Sequence, residues 1–373
     1  MAKYRVGLIG AGRKGTQHAR AYMQDERAEV VAVADADPEN LALFQQRTGI
    51  TGYADYQQML ARENLDIAAP ILPVSANPEV VMACSEAGVK AILCEKPIST
   101  TLADVDDMIS ACKSRHISFG AGDLDVNLPA YQIALAFIAA GELGAVKSIT
   151  VLGGPGTEMS GGGCQRFTLM RHFAGCAEVA WVLGWVSDDP LSDHDQGGAG
   201  YVRFANGIEA FIHQDKDARG RGYEVACEGG VFRSDDNLAG LYRYVEGDGA
   251  SWDKLQKIDG VLPEGRIYGE ARDYDADGWK WPGDRNVASC KALIDALERG
   301  EDPPGSGDNG RKVLEMAIAL RESHRQGCVP VSLPLVDRSL RIIPSPSRMF
   351  NKKPIFGHNK YMSQVLAHKK DGT

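Results

Sequence analysis

The first 120 residues alternate short runs of β-branched residues with longer stretches of helical character. The runs predict strands over 4–9, 29–34, 65–70, 90–94 and 117–121, and the stretches between them predict helices over 14–24, 38–48, 55–62, 76–87 and 101–115. The run VVAVA, inside 29–34, is apolar without interruption, as in strands that are covered on both faces. The alternation therefore predicts an α/β unit with a parallel sheet and crossover helices.

A change of pattern after residue 122 predicts a second unit. A helix over 129–144 leads into a strand over 145–154, and Asn206-Gly207 between alternating runs indicates a hairpin. Another strand pair is predicted within 223–235, joined at Gly229-Gly230. The segments NVASCKALIDALERG and DNGRKVLEMAIALRESHRQG predict helices that pack near this sheet or back on the first unit. We therefore expect an α+β unit with an antiparallel sheet.

The length of 373 residues favours two domains over one. We place the first at 1–122, the second at 123–335 and a carboxyl-terminal arm at 336–373. The arm either reaches over a neighbouring subunit or is a loosely ordered end. We expect the second domain to carry the substrate site and the contacts of a homodimer or homotetramer.

Charge and cysteine content limit the partners and the compartment. The net charge of −9 is spread along the chain, which disfavours nucleic acid or an anionic membrane as the main partner. The eight cysteines are scattered without a C-x-x-C pair, as expected of reduced thiols. The start of the chain runs directly into an apolar strand, and no later stretch approaches ~20 apolar residues. We therefore expect a soluble, cytoplasmic protein.

A glycine-rich turn follows the first strand and opens a helix. Gly10, Gly12 and Gly15 have the spacing in which the first glycine permits a tight turn, the second admits a pyrophosphate and the third allows close helix packing. The acid Asp35 ends the next strand, where its carboxylate would bind ribose hydroxyls and repel a 2′-phosphate. The pattern predicts NAD rather than NADP as the cofactor.

Two cations, Arg13 and Lys14, weaken that preference, because beside the turn they could hold a 2′-phosphate. The alternative interpretation of the turn is a tight glycine turn in an α/β protein that binds nothing.

Glu95, Lys96 and Pro97 follow the predicted strand 90–94 at its carboxyl end. In open parallel sheets this edge is where ligands bind, so Lys96 is expected to face the nicotinamide and to exchange a proton with substrate. Glu95 would pair with Lys96 or contact the substrate, and Pro97 would stiffen the turn. The alternative is an ordinary solvated lysine.

The glycine turn, Asp35 and the sequence CEKPIS, in this order and at these separations, resemble the Gfo/Idh/MocA family of oxidoreductases. The resemblance covers about residues 1–330. It implies an amino-terminal Rossmann domain that binds NAD or NADP and a second domain whose large open sheet carries the substrate site. It also implies that Lys96 is catalytic, and that Asn77, which matches the last polar position of a loop in the family, contacts the cofactor.

The third family motif, an aspartate and a histidine one helical turn apart, is altered. One alignment of 161–184 makes His172 the histidine and puts Thr168 in place of the aspartate, and another puts Met170 and Ala174 there. We predict the first, because a histidine supplies acid–base chemistry, and we expect Arg171 to bind an anion or a hydroxyl. Alternatively, His172 is a surface or core histidine.

Polar residues elsewhere suggest substrate contacts. Asp123, Asp125 and Asn127 follow the fifth predicted strand and could bind hydroxyls. The segment Asp193-His194-Asp195 invites a metal interpretation, but such a loop is more often solvated, so we predict no metal.

These predictions give an NAD-dependent dehydrogenase in which Lys96 and His172 form the acid–base pair. The small-molecule substrate would be a carbohydrate, namely a sugar, a glycoside or an inositol, oxidised at a ring hydroxyl. One alternative is a glycoside hydrolase that uses NAD catalytically through oxidation, elimination, hydration and reduction. Another is a non-catalytic protein that senses dinucleotides.

Overall fold

The computed structural model describes residues 3–122, 125–155, 158–235, 237–245, 254–268 and 284–350. In chain order the elements are β1 (Tyr4–Ile9), α1 (Arg13–Tyr22), β2 (Ala28–Ala34), α2 (Pro38–Thr48), β3 (Thr51–Tyr53), α3 (Tyr56–Arg62), β4 (Ile67–Pro70), α4 (Asn77–Glu86), β5 (Ala91–Leu93), α5 (Leu102–Ser114), β6 (Ser118–Gly120), α6 (Pro129–Ala139), β7 (Val146–Gly153), α7 (Gly163–Phe173), β8 (Val179–Val186), β9 (Gly198–Phe204), β10 (Glu209–Gln214), β11 (Arg221–Cys227), β12 (Gly230–Ser234), β13 (Ala239–Val245), β14 (Lys254–Ile258), α8 (Asp284–Arg299), α9 (Gly307–Arg325), β15 (Val331–Ser332) and α10 (Pro346–Met349).

The first sheet has six parallel strands in the order β3-β2-β1-β4-β5-β6, and its crossover helices come from the predicted stretches. The strand β3 was not predicted, because three residues are too few to show a periodicity. Local signals define the helices: the Asp37 side chain caps α2, which starts with Pro38 and ends at Gly49 in the left-handed region.

The second sheet has nine strands in the order β14-β13-β12-β11-β7-β10-β9-β8-β15. Only the β7–β10 pair among them is parallel, so the predicted mostly antiparallel sheet is confirmed. The hairpin predicted at Asn206-Gly207 joins β9 to β10, with Gly207 at φ 92°. The helix predicted over 129–144 is shorter, because α6 ends at Ala139 and the chain then turns through Gly141 and Gly144, both at positive φ.

Two late helices connect the units. The helix α9 packs on β8 and α7 and also contacts α5 of the first unit. The helix α8 packs against α1 and places Cys290, Leu293 and Ile294 in the core beneath the first sheet. A segment far along the chain therefore completes the first unit, while the division at residue 122 stays a prediction.

The segment that follows β15 also joins the two units. The Ile342 N–H donates to the Thr100 carbonyl at the start of α5, and the Ile343 N–H donates to the Asp193 carbonyl. Most of the predicted arm, residues 351–373, lies outside the described residues. Among the described helices, none is long and apolar enough to cross a membrane.

Candidate active site

The glycine turn after β1 has three different steric environments. Gly10 has φ +104°, and a Cβ there would lie 2.6 Å from the Ile71 carbonyl oxygen. A Cβ on Gly15 would lie 1.8 Å from the Gly10 oxygen, so only glycine lets α1 approach the turn. At Gly12 the nearest atom to a Cβ is the Asn40 side chain at 4.0 Å, which leaves open space in front of the helix. The turn therefore has the shape that a pyrophosphate at a helix N-terminus requires.

Asp35 lies directly beside this turn. Its Oδ2 accepts a hydrogen bond from the Ala11 N–H at 2.6 Å, and its Oδ1 accepts one from the Asp37 N–H at 2.8 Å. Burial raises the pKa of Asp35 above its usual value, although these two N–H groups act to lower it. A carboxylate oxygen has more than one lone pair, so both oxygens retain capacity for ribose hydroxyls.

The two cations of the turn differ in their surroundings. Arg13 is exposed, whereas Lys14 is half-buried and is influenced by the charges of Glu95 and Lys96. Burial lowers the pKa of Lys14 to about 8, and the cations Arg285, Lys96 and Arg13 add to the effect while Glu95 opposes it. Lys14 therefore faces the cleft in which Lys96 lies.

Lys96 follows β5 at the predicted carboxyl edge of the sheet. The Cys94 N–H donates to the Gly120 carbonyl and the Glu95 N–H donates to the Pro70 carbonyl, so strands on both sides hold the segment. The Lys96–Pro97 peptide bond is cis. The Nζ of Lys96 donates to the Gly161 carbonyl at 3.3 Å, across the gap to the second unit.

Asn77 supports this segment from behind. Its side chain is fully buried, and its Nδ2 donates to the carbonyls of Glu95 and Pro97 at 3.0 Å each and of Ile98 at 3.3 Å. The structure therefore places Asn77 against the backbone that carries Lys96, and its predicted contact with the cofactor stays a prediction.

Glu95 is buried beneath Lys96. Its Oε2 accepts the Lys96 backbone N–H at 3.1 Å, and its Oε1 lies 3.3 Å from Nε2 of His18, a residue that sequence reasoning missed. Burial alone would raise the pKa of Glu95. The His18 hydrogen bond and the charges of Lys14 and Lys96 nevertheless hold that pKa well below its usual range. Glu95 is therefore a carboxylate anion at the floor of the cleft.

The structure does not bring the predicted acid–base pair of Lys96 and His172 together. Lys96 contacts Gly161, just before α7, whereas His172 is in the last turn, about 14 Å further along the helix axis from Gly163. The Nε2 of His172 lies 3.0 Å from the Pro304 carbonyl oxygen, and burial lowers the pKa of the imidazole. His172 is therefore held against the backbone of the segment that precedes α9.

Thr168 and Arg171 also lie away from Lys96, in the contact between α7 and α9. The Asn309 Nδ2 donates to Thr168 Oγ1 at 2.8 Å, and Arg171 Nε donates to Asn309 Oδ1 at 3.1 Å. Both side chains are buried against α9, so the structure does not bring them to Lys96. The two residues of the other alignment, Met170 and Ala174, are fully buried.

Asp125 is the predicted substrate residue that the structure places at the cleft. Its N–H donates to Oε1 of Gln165 in the first turn of α7, at 3.1 Å. Its Oδ2 accepts from the Tyr268 hydroxyl at 3.2 Å, and its Oδ1 lies 3.5 Å from the Arg285 guanidinium. Asn127 instead donates to the Ser289 hydroxyl on α8 at 3.0 Å. Asp123 lies outside the described residues.

Sequence reasoning also missed Gln165 and Arg166, which are the polar side chains of the first turn of α7. Arg166 donates to the Tyr223 hydroxyl at 3.3 Å, with its guanidinium carbon 5.4 Å from the centre of that ring. Their position immediately after the glycine run 161–163 was the available signal. The start of α7, not its end, therefore faces the cleft.

The loop that contains Asp193 and Asp195 contacts the segment before Gly161 rather than Lys96 itself. Asp195 accepts the backbone N–H groups of Met159 and Ser160 at 2.8 and 2.7 Å, and also the Ser160 hydroxyl at 2.6 Å. It therefore fixes the segment that ends at Gly161, the carbonyl partner of Lys96. Within the described residues, no group of histidine, cysteine, aspartate and glutamate side chains is arranged to hold a metal ion.

Comparison with known proteins agrees with this geometry. A family model described as an oxidoreductase family with an NAD-binding Rossmann fold, GFO_IDH_MocA, matches residues 4–122. The myo-inositol 2-dehydrogenase of Thermotoga maritima is 33% identical over 342 residues, which are 86% of this chain and 96% of that protein. The levoglucosan dehydrogenase of Pseudarthrobacter phenanthrenivorans is 25% identical over 279 residues, 61% of this chain and 71% of that protein.

A solved structure has the same fold. Levoglucosan dehydrogenase in complex with NADH and levoglucosan superposes with a TM-score of 0.71 at 20% identity, covering 89% of this chain and all of that one. The six-stranded parallel sheet with its glycine turn, joined to a nine-stranded sheet, defines a two-domain, NAD-dependent oxidoreductase. The chain belongs to the Gfo/Idh/MocA family.

Proposed function

We propose that this chain is a dehydrogenase that uses NAD to interconvert a ring hydroxyl and a ketone of a sugar, a glycoside or an inositol. The observation that carries the proposal is the position of Lys96, whose Nζ crosses the cleft above the anionic Glu95. The named relatives act on levoglucosan and myo-inositol, which are both polyhydroxylated rings.

The residues of the turn fit the cofactor. The open space over Gly12 and the start of α1 would hold the pyrophosphate, and Asp35 would accept the ribose hydroxyls. When bound, NAD supplies the hydride acceptor or donor. Lys14, beside the turn, would balance the charge of the phosphates, and Glu95 and Lys96 would face the nicotinamide end.

Lys96 would exchange the hydroxyl proton. In oxidation the neutral amine accepts the proton of the substrate hydroxyl at Nζ, and in reduction the ammonium returns it. The Gly161 carbonyl holds Nζ in the cleft, and the Glu95 carboxylate stabilises the positive charge that develops on the lysine.

Asp125 would bind substrate hydroxyls. A carboxylate flanked by a phenol and a guanidinium both accepts and orders hydrogen bonds, which suits a polyhydroxylated ring. We keep Asp123 and Asn127 as further candidates in the same segment.

We further propose that the protein is cytoplasmic. All eight cysteines lie in the described residues and none is in a disulfide, which supports a reducing compartment such as the cytoplasm.

We also propose that the protein is a homodimer. The face of the second sheet opposite α7 and α9 carries apolar side chains, which supports this assembly.

The test is a spectrophotometric assay of the purified protein with NAD or NADP and a panel of sugars, glycosides and inositols. We expect NADH formation with at least one of them and a preference for NAD. Cleavage of a glycoside without NADH accumulation would instead show the redox-neutral hydrolase. NAD binding without turnover of any member of the panel would favour the binding protein.

Two variants assign the acid–base role. Lys96→Ala should lower kcat by roughly a hundredfold to ten-thousandfold, the range that general acid–base catalysis supplies, while the Kd for NAD changes little. His172→Gln is the matched control, because His172 contacts the Pro304 carbonyl rather than Lys96, so this variant should leave kcat nearly unchanged. If His172→Gln abolished turnover and Lys96→Ala did not, the assignment would be reversed.

A further inference from the structure

We infer that His18 is a positioning residue: it fixes the Glu95 carboxylate, and through it the backbone and the charge environment of Lys96, from a site that helix α8 completes. The inference rests on the proposed role of Lys96. It concerns a residue that reaches Lys96 only through Glu95.

The contact between His18 and Glu95 is closed to solvent. His18 is on the buried side of α1 and has no exposed surface, and Glu95 is only 8% exposed. The Nε2 of His18 lies 3.3 Å from Glu95 Oε1, while the other carboxylate oxygen accepts the Lys96 N–H at 3.1 Å. One carboxylate therefore links the imidazole to the backbone of Lys96.

Helix α8 holds the imidazole from the other side. The Asn286 amide nitrogen lies 3.3 Å from Nε2, and Cys290 Sγ, one helical turn further on, lies 4.0 Å from Nδ1. The ring is thus in contact with Glu95, Asn286 and Cys290. Its rotation about χ2 would break all three contacts.

The contacts also select a tautomer. A neutral ring cannot both donate to Glu95 and accept from Asn286 through the same nitrogen. A hydrogen bond to a carboxylate is about twice as strong as one between neutral groups, so Nε2–H donates to Glu95. Nδ1 then accepts from the Cys290 thiol, and the Asn286 amide must turn its oxygen toward Nε2–H, because two N–H donors cannot bond to each other.

Within the described residues, charged and titratable groups approach the pair from α1, from the Lys96 segment and from α8, whose Arg285 acts on Lys14. His18 and Lys14 face Glu95 from α1, and Lys96 faces it from its own segment. Cys290 faces His18 from α8, with Tyr22 one turn along α1 on the same side. Burial raises the pKa of Glu95, and the His18 hydrogen bond is one of the interactions that lower it. Without His18, the Glu95 carboxylate would therefore take up a proton more readily or move.

That loss has a defined consequence for the reaction. An anionic Glu95 favours the protonated form of Lys96, so a neutral or displaced Glu95 favours the amine. The half-maximal pH of kcat/KM for oxidation would therefore move down. The lysine would also be less precisely placed, and misplacement by about 1 Å can cost roughly a hundredfold in rate.

The kinetic test compares His18→Leu, His18→Gln, Glu95→Gln and the double variant His18→Leu/Glu95→Gln. His18→Leu should lower kcat roughly tenfold to a hundredfold and shift the pH profile of kcat/KM for oxidation to lower pH. Glu95→Gln should move it in the same direction, and the double variant should move it no further. His18→Gln, whose amide N–H can replace Nε2–H, should restore most of kcat and the original profile.

The control is Tyr22→Phe, which removes a hydroxyl that lies beside Cys290 but leaves the His18–Glu95 contact intact, and it should leave the pH profile of kcat/KM in place. A purely structural histidine would give a different result: His18→Leu would lower Tm without moving the profile, and its effect would add to that of Glu95→Gln. That outcome would overturn the inference.

A second measurement does not depend on turnover. Nitrogen NMR of histidine-labelled protein should show one buried ring as the Nε2–H tautomer, absent in His18→Gln and altered in Glu95→Gln. If no sugar gives NADH, the proposed function fails, but these spectra still decide whether His18 bonds to Glu95. An Nδ1–H tautomer in the wild-type protein would overturn the inference directly.

Discussion

At the scale of the residue, the site is a balance of buried charges. Glu95 is held as an anion by His18, Lys14 and Lys96, and Lys14 in turn has its pKa lowered to about 8 by burial and neighbouring cations. A lysine that titrates near pH 8 responds to any anion brought beside it, because the anion favours its protonated form. Lys14 stands in the first turn of α1, where a dinucleotide pyrophosphate would lie.

The lowered pKa of Lys14 predicts how NAD binding depends on pH. Above pH 8 the unliganded protein has lost the Lys14 proton, so binding must take one up, and affinity should fall as pH rises through about 8. Calorimetry at pH 8 in buffers of different ionisation enthalpy should detect net proton uptake. Lys14→Met should abolish the uptake and weaken binding at pH 7, whereas Arg13→Met, at the exposed neighbour, should leave the uptake in place. Proton release by the wild-type protein would contradict the prediction.

At the scale of the element, the segment before α7 matters because it carries the carbonyl that receives Lys96. It is fixed by Asp195, which accepts three hydrogen bonds from Met159 and Ser160. The adjacent Asp193 binds Arg341 at 2.7 Å and Arg325 at 3.1 Å instead, on the side of the carboxyl-terminal segment. Two aspartates of one loop therefore serve different parts of the molecule.

Asp195→Asn should consequently lower kcat with little change in the Kd for NAD. An amide cannot accept at both positions, so one backbone N–H of 159–160 loses its partner, at a cost of about 1–3 kcal/mol in the free energy of unfolding. Asp193→Asn, the control from the same loop, should lower stability and preserve kcat. Steady-state kinetics and chemical denaturation measure both effects. Equal kcat values for the two variants would show that Asp195 does not act through Gly161.

The same elements show what the sequence could and could not predict. The parallel sheet, the glycine turn and the segment of Lys96 follow from local patterns, because each is complete within a few residues. The orientation of α7 does not, since ten of its eleven residues are buried and give no amphipathic period. Its orientation depends on Asn309, 138 residues beyond Arg171, and His18 meets Glu95 77 residues away, so neither was visible locally.

At the scale of the whole molecule, the second sheet has two unlike faces. One packs on α7 and α9, and the other carries Leu152, Trp181, Leu183, Trp185, Tyr201 and Phe211, which we call the outer sheet face. Tyr201 is 52% exposed and Trp185 is 36% exposed. The rings of Tyr201 and Phe211 lie 5.0 Å apart on neighbouring strands. An apolar patch of this extent across four neighbouring strands is typical of a surface that a second protein covers.

If two copies of the chain pair through the outer sheet face, Tyr201→Lys should separate them. Two lysines would then face each other near the centre of an isologous contact, where neither charge has a partner and both lose hydration. Light scattering after size exclusion should change from twice the mass of the chain to the mass of one. Leu191→Lys, at a leucine that is 76% exposed outside the sheet, should keep the larger mass. Because the cleft of Lys96 is on the opposite side of the sheet, a well-folded monomer should still bind NAD. A wild-type protein that runs as a monomer at micromolar concentration would exclude this dimer.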